Sequence, residues 1–177
     1  MRSQTLTLFL LTASLLLLAP LETVARASVI RELQDMQLIG EARMRVLLWD
    51  VYDARLLSPA GRYTESEPFA LSLTYLRDLD GEKIAARSIE EMRKQGLTDE
   101  VALERWYRSL VGIIPNVRER DEIVGLAAAD GSTRFFLDGT PIGEIRDAAF
   151  TRAFFDIWLG QNTSEPRLRD QLLGVQR

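Results

Sequence analysis

Two arginines and two tyrosines are among the residues of this chain with side chains capable of chemistry. Arg43 and Arg45 flank Met44 within GEARMRVLLWDVYDARLL, Tyr52 lies further along the same run, and Tyr75 closes the alternating segment FALSLTY. Arginine offers a planar, permanently charged fork for a carboxylate or enolate oxygen, and tyrosine adds a hydroxyl donor on an apolar ring. Arg43 and Tyr52 are separated by an odd number of residues, so in one regular strand they would face opposite sides. A bulge or bend near Gly40 or Asp50 would be needed to bring them together. The plainer alternative makes Arg43 a surface, ion-pairing residue and Tyr52 a core aromatic. Tyr75 and Arg77 reach the same region from another strand, or simply pack in the sheet.

Other chemistries are excluded by composition. The 177 residues contain no Cys and no His. The chain therefore supplies no thiolate or imidazole metal ligand, no Cys nucleophile, no Ser-His-Asp triad and no imidazole base. Asp78, Asp80 and Glu82 around Gly81 lack the later glutamate of a calcium loop and suit helix capping better. No metal and no cofactor is expected. Walker, Gly-x-Gly-x-x-Gly and Gly-x-Ser-x-Gly motifs are absent. A net charge of −4 offers no basic stripe for nucleic acid. Trp49, Trp106 and Trp158 read as core anchors.

The first 27 residues read as an address. Arg2 precedes an apolar stretch from Leu6 to Leu21, and Ala25-Arg26-Ala27 has the small-x-small pattern of signal peptidase. The expectation is export to the periplasm, cleavage after Ala27, and a single domain over residues 28–177 with no stable membrane anchor. The alternative is one uncleaved anchor, for which the run is short against about 30 Å of hydrocarbon. A remainder of about 150 residues suits one self-standing core and a monomer.

The elements that must position these residues follow from hydrophobic period. Residues 38–57 read as one long strand or two successive ones, and residues 69–76 alternate large with small. Helices are predicted over 82–95, ended by Gly96, and over 99–114, ended by Pro115. Asp130-Gly131 and Asp138-Gly139 predict type I′ hairpins joining strands over 121–128, 133–137 and 140–145. A last helix near Asp147 aligns Phe150, Phe154, Ile157 and Trp158, leaving Phe155 to face a sheet edge or cavity, and a short helix follows over 165–173. The order gives an α+β fold with helices segregated from a mostly antiparallel sheet.

The run from Gly40 to Leu56, then LTYLRD, TRFFLDG, GEI and FFDIWL in that order, resembles the bacterial exported branch of the chalcone isomerase-like proteins. The resemblance implies an open-faced β-sandwich: a large antiparallel sheet covered on one face by helices, with a ligand cleft between. It also implies an Arg early in the first long strand, matched by Arg43 with Arg45 in reserve, and a Tyr or Thr along the sheet, matched by Tyr52. Lys83 stands where the isomerase carries its catalytic Tyr. The function expected is a non-catalytic binder of a small lipophilic anion such as a fatty acid. The alternatives are an isomerase or lyase acting on an enolisable or α,β-unsaturated ketone, and a protein-interaction module.

Overall fold

A computed structural model describes Leu33 and residues 35–175. The leader segment 1–27 and its cleavage point lie outside them. Six strands, β1 (Gln37–Val46), β2 (Trp49–Ser58), β3 (Phe69–Tyr75), β4 (Glu122–Ala127), β5 (Thr133–Leu137) and β6 (Thr140–Ile145), form one sheet in chain order. Every neighbouring pair is antiparallel. Four helices, α1 (Gly81–Lys94), α2 (Glu100–Ile113), α3 (Ala148–Leu159) and α4 (Pro166–Leu172), complete an α+β open-faced sandwich.

The ambiguous run 38–57 is a hairpin of two strands. Its two-residue turn is Leu47-Leu48, with Leu47 at φ 55. No Gly, Asn or Asp marks that turn, which is why the sequence pattern leaves one strand or two open. The Asp-Gly pairs divide. Asp138 (φ 48) and Gly139 (φ 73) are both left-handed, as a type I′ turn requires. At the other pair only Gly131 is (φ 80). There Ser132 N–H and Oγ–H both donate to Asp130 Oδ1, and Ala128 and Ser132 close a longer loop. The expected I′ geometry at 130–131 is thus replaced by an aspartate-capped loop.

The alternation of β3 sets the layers. Phe69, Leu71, Leu73 and Tyr75 face the helices within the main core, while Ala70 joins Val124, Leu126 and Phe136 in a small cluster on the other face, packed against Leu33 and Met36. Acidic residues fix the helix starts: Asp80 accepts from Lys83 N–H, Asp99 from Ala102 N–H, and Asp147 from Ala149 and Phe150 N–H. Asp147 also accepts from Arg105 and the Trp106 indole, tying α2 to α3. Gly96 (φ 101) ends α1, its N–H bonding Arg93 O while Leu97 N–H bonds Met92 O, the pattern of a Schellman cap. Asp78 accepts from Glu119 N–H and Glu82 from the Tyr107 hydroxyl, so this acidic group is structural.

Gly40 lets α4 approach β1: a Cβ there would overlap the Gln171 and Leu172 carbonyl oxygens. Gly112, near the end of α2, has nothing within 4 Å of such a Cβ. Gly40→Ala is expected to lower stability by about 1–3 kcal/mol, as overpacking does. Gly112→Ala should cost nothing and add up to about 1 kcal/mol. Urea midpoints of the two variants check the contrast.

Candidate functional site

Between the helix-covered face of the sheet and the helices lies a cavity of about 420 Å³. Its deep wall is apolar and buried, with Leu71 and Leu73 from β3, Ile123 from β4, Phe135 from β5, and Phe154 and Phe155 from α3. The other end passes to the exposed residues Val46, Arg77, Lys83 and Arg87, which marks the mouth between the β1–β2 hairpin and the start of α1. The aromatic groups hold one another in edge-to-face contacts. Phe154 packs on Phe135 (5.4 Å), Phe155 (5.4 Å) and Trp158 (5.3 Å), and Phe155 on Phe69 (4.8 Å). Gly125 makes room for the Phe155 ring, 3.4 Å from where a Cβ would stand. Phe155, left off the helical stripe by its spacing, is a cavity wall.

Tyr52 and Tyr75 are brought together between mouth and deep wall. They sit opposite each other on β2 and β3, with ring centroids 6.1 Å apart. The Trp158 indole N–H donates to Tyr52 Oη at 2.9 Å. No described residue accepts the hydroxyl proton of Tyr52 or Tyr75. Burial pushes the Tyr52 hydroxyl up to about 12 and that of Tyr75 higher still. Both are therefore neutral hydroxyls on the cavity lining, and the charges of Glu165, Glu91 and Arg87 also reach Tyr52.

Charged groups at the mouth are mixed. Buried Glu91 is held by Arg87 (2.5 Å), Lys94 (3.1 Å) and the Ser164 hydroxyl (2.7 Å), so it and Arg87 neutralise each other. Asp80 is engaged in capping α1, and Glu165 also lines the cavity. Arg77 lies over the Trp49 ring, 5.1 Å from its centroid. Among the described residues Lys83 has no carboxylate partner. The same holds for Arg77, so two of the lining cations lack a carboxylate partner.

Arg43 and Arg45 are elsewhere. Pairing of Met44 with Tyr52 and of Arg43 with Asp53 turns both arginines to the opposite, solvent side of the sheet. Arg43 grips Asp53 through Nε (2.6 Å) and Nη2 (2.8 Å) and reaches Asp50 at 3.0 Å, and Arg45 Nε meets Asp50 at 2.6 Å. Asp53 and Asp50 hold the Arg43 guanidinium even more firmly protonated, and Arg45 draws the Asp50 carboxyl below its ordinary range. The expectation that one of these arginines enters the cleft is corrected: they close a surface network. A bulge does occur, with the pairing shifting between Met44 and Arg45. It places both Val51 and Tyr52 on the cavity, leaving Arg43 outside.

The profile of the family described as Chalcone isomerase-like matches residues 26–174. The chain belongs to the chalcone isomerase-like family. A Haemophilus influenzae protein described as uncharacterized is 32% identical over 139 residues, covering 78% of this chain and 68% of its own. The crystal structure of a fatty-acid binding protein of Arabidopsis thaliana superposes with a TM-score of 0.61 at 12% identity, over 78% of this chain and 87% of that one. At that identity the match establishes a shared fold.

Within this chalcone isomerase-like chain, Tyr52 and Tyr75 line the cavity, Arg43 and Arg45 do not, and of the helical wall the sequence pointed only to Phe155. Lys83 stood out as a departure from the isomerase. Trp158, which anchors Tyr52, was visible only as part of an apolar stripe. Periodicity shows that a helical face is buried, but not whether it meets side chains or a void.

All four tyrosines resist ionisation: Tyr63 is pushed up to about 12 by burial, and Tyr107 upward by its bond to Glu82. Tyr52, Tyr63 and Tyr75 should contribute almost no tyrosinate absorbance at pH 10 in the folded protein. A group whose folded pKa is raised contributes stability that is complete below its unfolded value and fades as pH climbs through the folded one. For Tyr52 that window runs from about 10 to about 12. Tyr52→Phe should reduce this alkaline loss. At neutral pH it should cost about 1–3 kcal/mol, because the Trp158 indole loses its acceptor. Any of these three titrating near pH 10 in the folded protein would contradict this arrangement.

Proposed function

We propose that this chain is a periplasmic, non-catalytic binder of a single-chain lipophilic anion, a fatty acid, acting as a monomer without a membrane anchor once residues 1–27 are removed. The observation that carries the reading is the cavity: an apolar interior of about 420 Å³ with two neutral tyrosine donors partway in and an unpaired lysine at its mouth. Its volume falls within the roughly 300–1,000 Å³ of small-molecule sites. The hydrocarbon tail lies against Leu71, Leu73, Phe135 and Phe155. The carboxylate accepts from Tyr52 and Tyr75 and lies toward Lys83, with Arg77 beside it. A fatty-acid binding relative of the same fold supports this ligand class. Hydroxyls kept neutral by burial suit holding an oxyanion, and burial opposes the tyrosinate a base would need.

Calorimetry of delipidated protein with palmitate should show binding, weakened about tenfold or more in Lys83→Ala, in line with loss of a contact to a charged group. Hexadecanol should lose much less from the same change. Arg43→Ala should bind as the wild type does. Failure to bind either compound would overturn the reading, and turnover of a chalcone lost in Tyr52→Phe would establish the isomerase instead. Amino-terminal sequencing of the exported protein should begin at Ser28. A chain beginning at Met1 and retained in the membrane would contradict the cleaved leader.

A further inference from the structure

The cavity mouth carries a feature that neither the fold nor ligand binding inside the cavity explains. The β1–β2 hairpin ends in Val46, Leu47, Leu48 and Trp49, with exposures of 50%, 92%, 95% and 63%. These are four consecutive large apolar side chains at the end of a hairpin. The expectation that Trp49 anchors the core is thereby corrected, whereas Trp106 and Trp158 are buried. Leu47 is also left-handed, with φ 55, at the first of two turn positions, where glycine would be free of the penalty a side chain carries. The turn thus keeps a leucine that local backbone energetics disfavour and that packs on nothing in the core.

The tip is continuous with the cavity. Val46 and Val51, on the two sides of the hairpin, both line the cavity, and so does Arg77, whose guanidinium lies over the Trp49 ring. The tip, the aromatic ring with its cation, and the mouth therefore occupy one end of the molecule. With Asp80 engaged in capping α1 and Glu91 paired to Arg87, an apolar tip backed by Trp49, Arg77 and Lys83 matches the layers of a bilayer surface: acyl chains, interface, then headgroup phosphates.

We infer that the β1–β2 hairpin tip inserts into a lipid bilayer, bringing the cavity mouth against the acyl layer so that a single-chain lipid passes between membrane and cavity without crossing water. Leu47 and Leu48 enter the hydrocarbon, Trp49 lies at the interface, and Arg77 and Lys83 face the headgroups. A second copy of the chain is a poorer occupant, because a stable dimer buries about 800 Å² per partner with matched shape. A two-residue turn offers far less surface. A fluid acyl layer demands no such match. The purpose of this docking rests on the lipid-binding reading, whereas the docking itself is measured independently of it.

The test uses vesicles of phosphatidylethanolamine and phosphatidylglycerol, alone and with brominated acyl chains. Wild-type protein should float with the vesicles. Trp49, exposed while Trp106 and Trp158 are buried, should be quenched by bromine, and Trp49→Phe should remove most of that quenching. The double variant Leu47→Gly, Leu48→Ser should fold at least as stably as the wild type and bind palmitate in solution equally well. Its partitioning onto vesicles should fall about tenfold or more, as expected for two lost apolar anchors. Equal partitioning of wild type and double variant would overturn the inference. So would a wild-type dimer that the double variant converts to monomer, which would assign the tip to a second copy. Vesicle docking without palmitate binding would leave the docking standing and remove the proposed cavity ligand. Palmitate binding without docking would do the reverse.

Discussion

The face that a strand residue presents is a matter of parity, and in the first hairpin parity is set by the two-residue turn at Leu47-Leu48 and the bulge beside it. With Met44 opposite Tyr52 and Arg43 opposite Asp53, the apolar and aromatic members turn toward the helices and the charged ones toward water. A slip of one residue would exchange the two sets, burying Arg43 and Asp53 beneath the helices and exposing Tyr52. The network joining Arg43, Arg45, Asp50 and Asp53 locks the chosen register from outside. Its members are exposed and screened, so its contribution is to alignment more than to stability. The position of Tyr52 relative to Tyr75, and hence the polar point of the cavity, depends on that alignment.

A sheet covered by helices usually closes on a filled core, and here the closure is incomplete in one place. Large aromatics from α3 and β5 meet edge to face and brace one another, so they cannot collapse inward as flexible leucines would. Trp158 is held at both ends, by its ring contact to Phe154 and by its N–H to Tyr52. Asp147 sets the start of α3 and binds α2 through Arg105 and Trp106, which fixes the helix carrying most of this wall. The void is thus a consequence of rigid side chains on well-capped helices, and a flexible chain entering it gains apolar contacts without deforming the protein.

The sequence made the layers legible because they rest on local regularities. The alternation of residues 69–75, the helical stripe of Phe150, Phe154, Ile157 and Trp158, the capping aspartates and the Asp138-Gly139 turn are each short-range signals that the fold obeys. The arginines were misplaced for a reason of the same kind. Their face depends on a turn made of two leucines, which carries no turn signature, and on a bulge that only pairing with β1 reveals. The resemblance to chalcone isomerases identified the fold, yet its Arg position did not transfer. Lys83, conspicuous as a departure from the isomerase, stands at the mouth instead.

A cation at the mouth, with no arginine among the described residues of the interior, has a physical consequence for how such a site would work. An arginine buried at the end of the cavity would lose its hydration before any ligand arrived, and a bound carboxylate would have to recover that cost through a desolvated ion pair that also resists separation. Neutral tyrosine hydroxyls carry a smaller desolvation penalty, and a lysine at the rim keeps most of its water while still attracting an anion. On this arrangement selectivity for an acid over an alcohol comes from the rim, and grip on the tail comes from the apolar walls. The two can be released separately: the headgroup can leave Lys83 for a neighbouring bilayer while the chain is still inside. If the cavity takes a fatty acid as proposed, cations at the mouth beside an apolar hairpin tip would favour exchange over permanent retention.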